Sequence, residues 1–256
     1  MSTHDIKLEV CVDSIGSALA AAEGGAARIE LCSALTEGGL TPSPGSLKTI
    51  KKLISIPIYC MLRPRRGNDF TYSNSEMEVV LLDLELLRAN GADGFVFGAL
   101  TDQRTIDVEK CHRVIERAAG MPVTFHRAFD LTNPQLMHET VTIIKELGFK
   151  RLLSSGFRAT AIEGSENLAQ LIAKHRDIVI MPGAGISVSN LDELLTVTKC
   201  IEFHASAQSV AGAPSSNGGV ARMDCDVTMG KQDIEPYTTT DVHVVRQMVS
   251  IAMAAK

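Results

Sequence analysis

The sequence predicts an α/β protein that folds as a single (β/α)8 barrel, the TIM-barrel architecture. Short apolar runs typical of strands alternate eight times with amphipathic stretches of helical spacing. This alternation implies parallel strands joined by right-handed crossovers, and a chain of 256 residues suits one such barrel. Polar residues also recur on nearly every predicted strand, as they do around a barrel mouth. A doubly wound open sheet is the competing fold, but no G-x-G-x-x-G motif follows the first strand.

The eight predicted strands are short apolar segments bounded by glycine, proline and polar residues. They cover residues 8–13, 28–33, 58–64, 94–100, 122–130, 151–155, 178–182 and 202–207. Alternate side chains of a strand point to opposite faces, so each segment presents one set to the barrel interior and another to the helices. If Arg63 faces the interior, then Cys60 faces the outer helices and is a core residue.

Helices are predicted between the strands from apolar spacing and from residues that begin or end a helix. Residues 75–89 and 107–119 carry apolar side chains three and four positions apart. Residues 133–147 open with Asn133 and Pro134, an N-cap followed by proline at the first helical position. Glycines at positions 24, 25, 91, 120 and 148 stand where helices should stop. The last helix is predicted over residues 241–254.

A single domain is expected over residues 1–256, with two connections that are longer than a minimal turn. Residues 34–45 and 208–240 each follow the carboxyl end of a predicted strand, which is the functional face of such a barrel. The second connection is rich in Ser, Gly, Asn and Asp. It is long enough to be a lid, a subunit contact or a mobile segment.

Composition restricts the kinds of partner. The net charge of -5 and the lack of a Lys/Arg block argue against nucleic acid or an anionic membrane surface. The N-terminus has no apolar signal-peptide region, and no apolar stretch reaches membrane-spanning length. We therefore expect a cytoplasmic protein. Six cysteines without C-x-x-C spacing are typical of reduced thiols rather than of a disulfide framework.

The first two strands repeat a Glu-x-Cys pattern that places carboxylates and thiols on one face. The residues that share these faces are Glu9, Cys11 and Asp13 on strand one and Arg28, Glu30 and Cys32 on strand two. On strand five His126 has the parity of Asp130, and on strand eight His204 has the parity of Glu202 and Ser206. If these faces point inward, the barrel interior is strongly polar.

Two interpretations of the inner charges are open, because charged side chains are seldom buried unless they are paired. One is an internal salt-bridge network that fixes strand register. The other is a functional pocket, which is favoured because several charges lie near the carboxyl ends of strands. The candidate catalytic residues of that pocket are Glu9, Glu30, Arg63, His126 and His204. Glu30 and His126 would act as acid/base groups or as ligands of a hard metal.

A small anionic or phosphorylated ligand is the substrate class that the strand ends suggest. Arg63 lies near the end of strand three, at the barrel mouth, and would bind carboxylate or phosphate. Gly183 and Gly185 follow strand seven, where many such barrels hold a phosphate with backbone N–H groups, and Ser206 after strand eight would complete the site. No lysine stands at the carboxyl end of a predicted strand, which argues against Schiff-base aldolase chemistry.

Copper is the second chemical interpretation of the interior. Cys11 and Cys32 lie on neighbouring strands with matched parity, and soft thiolate and thioether ligands favour Cu(I). Met61 would be a third ligand. Cysteine is also among the most buried residue types and often behaves as a small hydrophobe. From spacing alone, a core role for the two cysteines is the favoured interpretation.

The sequence resembles the CutC family, the copper homeostasis proteins, and animal-type members in particular. The resemblance covers most of the chain to about Ala207. The matching runs are Leu8-Glu-Val-Cys-Val-Asp13, Arg28-Ile-Glu-Leu-Cys32, Glu37-Gly-Gly-Leu-Thr-Pro-Ser43, Met61-Leu-Arg-Pro-Arg65, Gly94-Phe-Val-Phe-Gly-Ala-Leu100, Pro122-Val-Thr-Phe-His-Arg-Ala-Phe-Asp130, Met181-Pro-Gly183 and Glu202-Phe-His204. The chain departs from the family pattern at Ala27, at Ala184 and after Ser206.

The resemblance implies an intracellular TIM barrel of copper homeostasis that binds Cu(I), with Cys11 and Cys32 as the copper ligands. It also implies a homo-oligomer and a cytoplasmic location, with the nucleus as a further one. The alternative function is an enzyme that acts on an unidentified small anionic or phosphorylated substrate by acid/base or metal-assisted chemistry. Both functions use the same inner face of the predicted barrel.

Overall fold

Eight parallel strands form the wall of a barrel, and each is followed along the chain by a helix. The computed structural model describes residues 6–210 and 238–255. The barrel strands are β1 (Lys7–Val12), β2 (Arg28–Leu31), β3 (Ile58–Met61), β4 (Gly94–Phe97), β5 (Val123–Phe125), β6 (Arg151–Ser154), β7 (Val179–Pro182) and β8 (Glu202–Ala205). The predicted (β/α)8 barrel is confirmed.

The strands pair in the order β7-β6-β5-β4-β3-β2-β1-β8, and every pair is parallel. β7 and β8 are joined by a single bridge between Gly183 and His204, so the barrel is nearly closed. In the register, Glu9 of β1 lies beside Arg28 of β2 on one side and beside His204 of β8 on the other. Closure therefore brings together charged residues that are far apart in the sequence.

Helices surround the strands, and five of the eight begin after a residue whose side chain caps them. They are α1 (Ile15–Gly24), α2 (Pro44–Ile50), α3 (Asn74–Ala89), α4 (Val108–Ala118), α5 (Met137–Glu146), α6 (Ser165–Lys174), α7 (Leu191–Thr198) and α8 (Val242–Ala254). Ser73 caps α3 in a capping box with Glu76, and Asp107 and Asp241 cap α4 and α8. The predicted helix at 133–147 starts as a 3-10 turn, Pro134–Leu136, and continues as α5. Within the described residues, no helix is both long and apolar enough to cross a membrane.

The main hydrophobic core lies between the strands and the helices. Large side chains of alternate strand positions, such as Phe95, Phe97 and Phe125, are fully buried there. Cys60 belongs to this outer core, as predicted, whereas its neighbours Tyr59 and Met61 point into the barrel. The period-2 pattern of the strands thus separates an apolar outer face from a polar inner face.

Seven of the eight predicted strands extend past the observed carboxyl end, and in two of them this changes the position of a residue near the site. The strand predicted at 122–130 ends at Phe125, and Arg127–Leu131 form a 3-10 turn instead. His126 Nδ1 accepts a hydrogen bond from the Ala128 N–H at 3.3 Å, which turns the chain at this point. The shared strand parity of His126 and Asp130 is therefore wrong. Likewise β1 ends at Val12, and Asp13 is exposed rather than inside the barrel.

The long connection predicted at 208–240 begins and ends as a small antiparallel ribbon. Its strands are β9 (Gln208–Val210) and β10 (Thr238–Thr240), which the prediction of a loop missed. Residues 211–237, and with them Cys225 and the expected lid or subunit contact, lie outside the described residues.

Glycines on the inner face of the wall make room for larger inner side chains. A Cβ at Gly94 of β4 would lie 2.7 Å from the Tyr59 ring and 2.8 Å from the Pro122 carbonyl oxygen. A Cβ at Gly98 would lie 2.6 Å from His126 Nδ1, and one at Gly183 would lie 2.5 Å from a methyl group of Leu153. The inner wall has no space for even one added methyl group at these positions.

Gly94→Ala is expected to lower the free energy of unfolding by about 1–3 kcal/mol, because the new methyl group would displace the Tyr59 ring or the backbone. Urea unfolding followed by circular dichroism measures the change. Gly16→Ala is the matched control, since a Cβ at that helical position meets nothing within 4 Å. The control should be neutral or stabilising by about 0.5–1 kcal/mol. Equal effects of the two substitutions would contradict the packing argument.

Candidate functional site

A network of buried ion pairs crosses the N-terminal end of the barrel. The guanidinium of Arg28 donates to Glu9 and, at 2.8 Å, to Glu202. Arg151 donates to Glu202 at 2.7 Å and to the Tyr59 hydroxyl at 3.2 Å. Arg28 also lies over the Tyr59 ring, 4.8 Å from its centroid. We call these five residues the charged belt. Here the salt-bridge interpretation of the inner charges is correct.

His204 connects the charged belt to the upper part of the barrel. Its Nδ1 lies 2.8 Å from Glu9 Oε1. Burial lowers the pKa of His204, but the adjacent Cys11 and Glu30 and the hydrogen bond to Glu9 outweigh burial and raise the pKa well above 6.5. Burial likewise raises the pKa of Glu9, but Arg28 and His204 bring it down to about 2. His204 is therefore a protonated donor that is held by an ionised carboxylate.

Glu30 is a buried carboxyl group without a hydrogen-bond partner at one oxygen. Its side chain is nearly inaccessible, and Oε2 contacts no donor in the part of the chain that the structure describes. Burial and the charge of Glu9 raise its pKa to about 7, although His204 and Arg28 oppose the increase. Glu30 can therefore gain or lose a proton near neutral pH.

His126 is a buried neutral imidazole with one free nitrogen. Because Nδ1 accepts from the Ala128 N–H, the proton of the neutral ring lies on Nε2. Nε2 is buried and has no partner among the described residues. Burial and the nearby charge of Arg63 lower the pKa of His126 to about 3. At neutral pH this nitrogen is a hydrogen-bond donor.

Arg63 is a buried cation that pairs with no carboxylate in the described part of the chain. Its guanidinium instead donates to backbone carbonyl oxygens, at 2.9 Å from Glu37, 3.1 Å from Gly39 and 2.5 Å from Gly67. These bonds fix the side chain in place but leave its positive charge uncompensated. Such a charge favours an anion nearby.

A cavity of about 370 Å³ at the carboxyl ends of the strands joins these groups. It is lined by seven of the ten predicted site residues: Cys11, Glu30, Arg63, His126, Gly185, His204 and Ser206. Its size lies in the usual range for small-molecule sites, about 300–1,000 Å³. Strand parity therefore brings most of the predicted residues to one cavity wall.

Three predicted residues do not line the cavity. Glu9 lies below it in the charged belt. Gly183 donates its N–H to the Ser154 carbonyl oxygen at 3.0 Å, so this N–H is already engaged in the arrangement that the structure describes. Strand pairing to β6 uses the N–H group that the anion would need. Gly185 does line the cavity, and its N–H has no acceptor within residues 6–210 or 238–255.

Cys32 lies behind Gly39, away from the cavity. A Cβ at Gly39 would be 3.4 Å from Cys32 Sγ and 3.6 Å from the Met61 methyl carbon, so one glycine covers both sulfur-bearing side chains. Burial raises the pKa of the Cys32 thiol far above its usual range, and the charge of Glu30 adds to this. Cys11 by contrast borders the cavity, and its Sγ lies 3.7 Å from the Ala205 carbonyl oxygen.

Sequence reasoning missed Phe70, which lies between two functional groups. Its ring centroid is 5.2 Å from the Arg63 guanidinium carbon and 4.8 Å from the centroid of His126. Phe70 has a φ of 53°, a left-handed conformation that is rare for an aromatic residue. Gly67 and Asn68 mark a turn just before it, but nothing in the sequence singles out the aromatic residue that follows as the one with the left-handed backbone.

Backbone strain is concentrated at the same end of the barrel. Of eight non-glycine residues with positive φ among the described residues, six follow the carboxyl end of a strand: Ala34, Phe70, Arg104, Phe157, Ala184 and Ala207. The other two end helices. Strained residues persist where the surrounding structure holds them, and they gather at functional sites. The distribution supports a function at the cavity.

Among the described residues, the one group of three close metal-ligand types consists of Glu9, Glu30 and His204. Their donor atoms lie within 4.8 Å of one another, and all three residues are buried. Carboxylate and imidazole donors suit hard or borderline divalent ions. Both oxygens of Glu9 already accept hydrogen bonds, from Arg28 and from His204, so a metal would compete with the charged belt.

Comparison with known proteins finds the CutC family, whose family model matches residues 6–209. A Drosophila melanogaster protein named copper homeostasis protein cutC homolog is 65% identical over 255 residues, 99% of this chain and 97% of the relative. The Homo sapiens protein of the same name is 45% identical over 250 residues, 96% of this chain and 88% of the relative.

Solved structures agree with this finding. The crystal structure of CutC from Streptococcus agalactiae has a TM-score of 0.75 and 28% identity, covering 78% of this chain and 98% of that protein. Thiamine phosphate pyrophosphorylase from Pyrococcus furiosus has a TM-score of 0.58 and 14% identity, covering 98% of each chain, and shows the barrel fold alone.

Glu30→Gln is expected to be more stable than the wild type above pH 7, and the gain should vanish as the pH falls to 4.5. A carboxyl group whose pKa rises from 4.5 to about 7 on folding costs stability as pH rises through that window. The difference corresponds to roughly 3 kcal/mol. Urea unfolding between pH 4.5 and 8 measures it, with Glu78→Gln on the exposed face of α3 for comparison. A difference that does not depend on pH would contradict the raised pKa.

Cys11 is expected to react with a small alkylating reagent faster than the other described cysteines. It borders the cavity, whereas burial raises the pKa of Cys32 and of Cys60, and both lie in packed regions. Timed iodoacetamide labelling of the native protein followed by peptide mass spectrometry gives the rates. Equal labelling of Cys11 and Cys60 would contradict the arrangement.

Proposed function

Because the chain belongs to the CutC family, we propose that it acts in copper homeostasis and binds Cu(I) through the thiolates of Cys11 and Cys32. The relatives that match nearly the full chain carry the name copper homeostasis protein. Thiolate and thioether sulfur are the ligands that Cu(I) prefers. The family and the donor chemistry therefore support the same function.

The observation that carries this proposal is the placement of three sulfur atoms on neighbouring strands. Cys11 lies on β1 in register with Glu30, and Cys32 directly follows β2, with its N–H bonded to the Val12 carbonyl oxygen at 2.9 Å. Met61 of β3 packs with Cys32 beneath Gly39. All three face the interior, which supports a site of two thiolates and one thioether.

Copper binding at this site would displace protons. The pKa of Cys32 is raised far above neutrality, so its thiol is protonated in the metal-free protein. A metal that needs the thiolate must release that proton, and its apparent affinity then rises with pH. The expected cytoplasmic and nuclear location and the homo-oligomer remain parts of the proposal, which fluorescence microscopy and size-exclusion chromatography with light scattering would test.

The double variant Cys11→Ala/Cys32→Ala is expected to lose the Cu(I) equivalent that the wild type binds in competition with a colorimetric Cu(I) chelator. Met61→Leu should keep the stoichiometry with weaker binding, because only the thioether is removed. Wild-type affinity should increase between pH 6 and pH 8.

The matched control for this titration is Cys60→Ala, a thiol on the adjacent strand that faces the outer helices. Circular dichroism before each titration establishes that a variant is folded. Unchanged stoichiometry and affinity in the folded double variant would overturn the assignment of the site, as would an equal loss in Cys60→Ala.

A second function is favoured by the uncompensated charge of Arg63. We propose that the cavity also binds a small anionic or phosphorylated substrate, as an enzyme of this fold would. Gly185 and Ser206 line the same cavity as Arg63, and the Gly185 N–H has no acceptor among the described residues, so it can donate to an anion. Backbone N–H groups and an arginine together are a common anion site. Glu30 and His126 then stand beside the anion as acid/base groups.

Inorganic phosphate is expected to bind the wild type in isothermal titration calorimetry, with an affinity that falls as salt is added. Arg63→Lys should weaken binding about tenfold, because lysine keeps the charge but loses the planar donor geometry. Arg66→Lys is the control, since Arg66 lies on the same loop and is largely exposed. Equal affinities of the two variants would contradict an anion site at Arg63.

A further inference from the structure

We infer that the cavity catalyses proton transfer at a carbon next to a carbonyl group in a small substrate that carries a carboxylate or phosphate. Glu30 is the base that removes the proton, and the Nε2–H of His126 is the donor that stabilises the negative oxygen. The inference rests on the anion-binding function proposed above, and it adds the reaction class and the role of each group.

Glu30 meets the requirements of such a base. It lines the cavity, is 3% exposed, and has one oxygen without a hydrogen-bond partner among the described residues. A buried carboxylate that lacks hydrogen-bond donors is a stronger base than one in water. Glu9, the other carboxylate nearby, is already held by Arg28 and His204, so it is not free to accept a proton.

His126 meets the requirements of an electrophilic donor. The hydrogen bond from the Ala128 N–H to Nδ1 fixes the tautomer that carries the proton on Nε2. Nε2 is buried, unpartnered in the described part of the chain, and part of a residue that lines the cavity. A preorganised donor in a site that excludes water stabilises a developing oxyanion more than water does. Because the ring is neutral, it stabilises the oxyanion by donating a hydrogen bond and does not transfer its proton.

Arg63 and Phe70 place the substrate relative to these two groups. The Arg63 guanidinium carbon and the His126 ring centroid lie 5.2 and 4.8 Å from the centroid of the Phe70 ring, so both groups contact the same aromatic side chain. Because Arg63 and His126 both line this cavity, an anion held by Arg63 occupies the same cavity as the His126 donor. The Phe70 ring supplies an apolar wall between them, and its left-handed backbone shows that the turn is held against strain.

The reaction step is balanced without any oxidant or reductant. The Glu30 carboxylate takes the proton from the carbon next to the carbonyl, and the electron pair of that C–H bond forms a carbon–carbon double bond. The carbonyl π pair moves to oxygen, where the Nε2–H of His126 donates to it. Glu30 then returns the proton to the same carbon as the carbonyl re-forms, which gives an epimer. Where that carbon bears a hydroxyl group, the hydroxyl proton can instead move to the first oxygen, a new carbonyl forms from the hydroxyl oxygen, and Glu30 protonates the former carbonyl carbon, which gives an isomer.

Other chemistry common on this fold lacks its residue here. The cavity lining within residues 6–210 and 238–255 includes no lysine, so the wall supplies no amine for a Schiff base. His126 is neutral and thus a poor acid for expelling a leaving group. A carboxylate base and a neutral donor beside an anion site are the groups that enolisation needs.

The first test measures binding of 2-phosphoglycolate, whose carboxylate resembles the enediolate of the step, against inorganic phosphate. Wild-type protein should bind 2-phosphoglycolate at least about tenfold more tightly, because only the intermediate analogue engages both Arg63 and His126. His126→Gln should remove most of this difference and keep phosphate binding. His112→Gln, on the exposed face of α4, is the control and should match the wild type.

The second test follows solvent deuterium entering carbon positions by proton NMR. The probes are dihydroxyacetone phosphate, ribulose 5-phosphate and pyruvate, each incubated with the protein in D2O. At least one should exchange faster with the wild type than in buffer without protein. Glu30→Gln should lower that rate by about 10²–10⁴-fold, whereas Glu78→Gln should not change it.

The outcomes separate the inference from the function on which it rests. Phosphate binding without tighter 2-phosphoglycolate binding and without exchange would overturn the proton-transfer role and leave the anion site standing. Failure of both phosphate and 2-phosphoglycolate to bind would overturn the anion site and the inference together. Exchange that persists in folded Glu30→Gln would overturn the assignment of the base.

Discussion

Two buried glutamates, Glu9 and Glu202, share the guanidinium of Arg28 at the N-terminal end of the barrel. Removing such charges from water costs several kcal/mol per ion, and only close pairing offsets that cost. The charged belt therefore fixes the relative positions of β1, β2 and β8, which are adjacent, and of β6, which lies elsewhere in the barrel wall. Through the bond from His204 to Glu9 it also orients an imidazolium at the floor of the cavity.

The barrel interior has two parts with opposite electrostatic character. In the charged belt each side chain has its partners, so that part is structural. In the cavity above it, Glu30 Oε2, His126 Nε2 and the charge of Arg63 lack protein partners within the described residues. Buried polar groups without partners are costly and therefore informative. The chemistry proposed here uses the groups that the fold leaves unsatisfied.

The copper site and the cavity are neighbours that share a wall. Cys11 and Met61 border the cavity, and Cys11 lies in register with Glu30, while Cys32 lies behind Gly39. Bound copper at the sulfur atoms would lie beside the carboxyl group that the second function uses. The two proposals can therefore hold in one molecule, and each can influence the other because Glu30 raises the pKa of Cys32.

Periodicity in the sequence was enough to predict the barrel and the inward orientation of most site residues. It also predicted that Cys60 faces outward. It could not predict which inner charges are paired, or that the Gly183 N–H donates to a carbonyl oxygen of β6. Nor could it predict that the strand ends at Phe125 and that a 3-10 turn begins beside His126. The alternation of inward and outward side chains along a strand is a local property, and a run of a few residues is enough to show it. Pairing depends on register between strands far apart in the chain, such as Glu9 with His204, and only closure of the barrel sets that register.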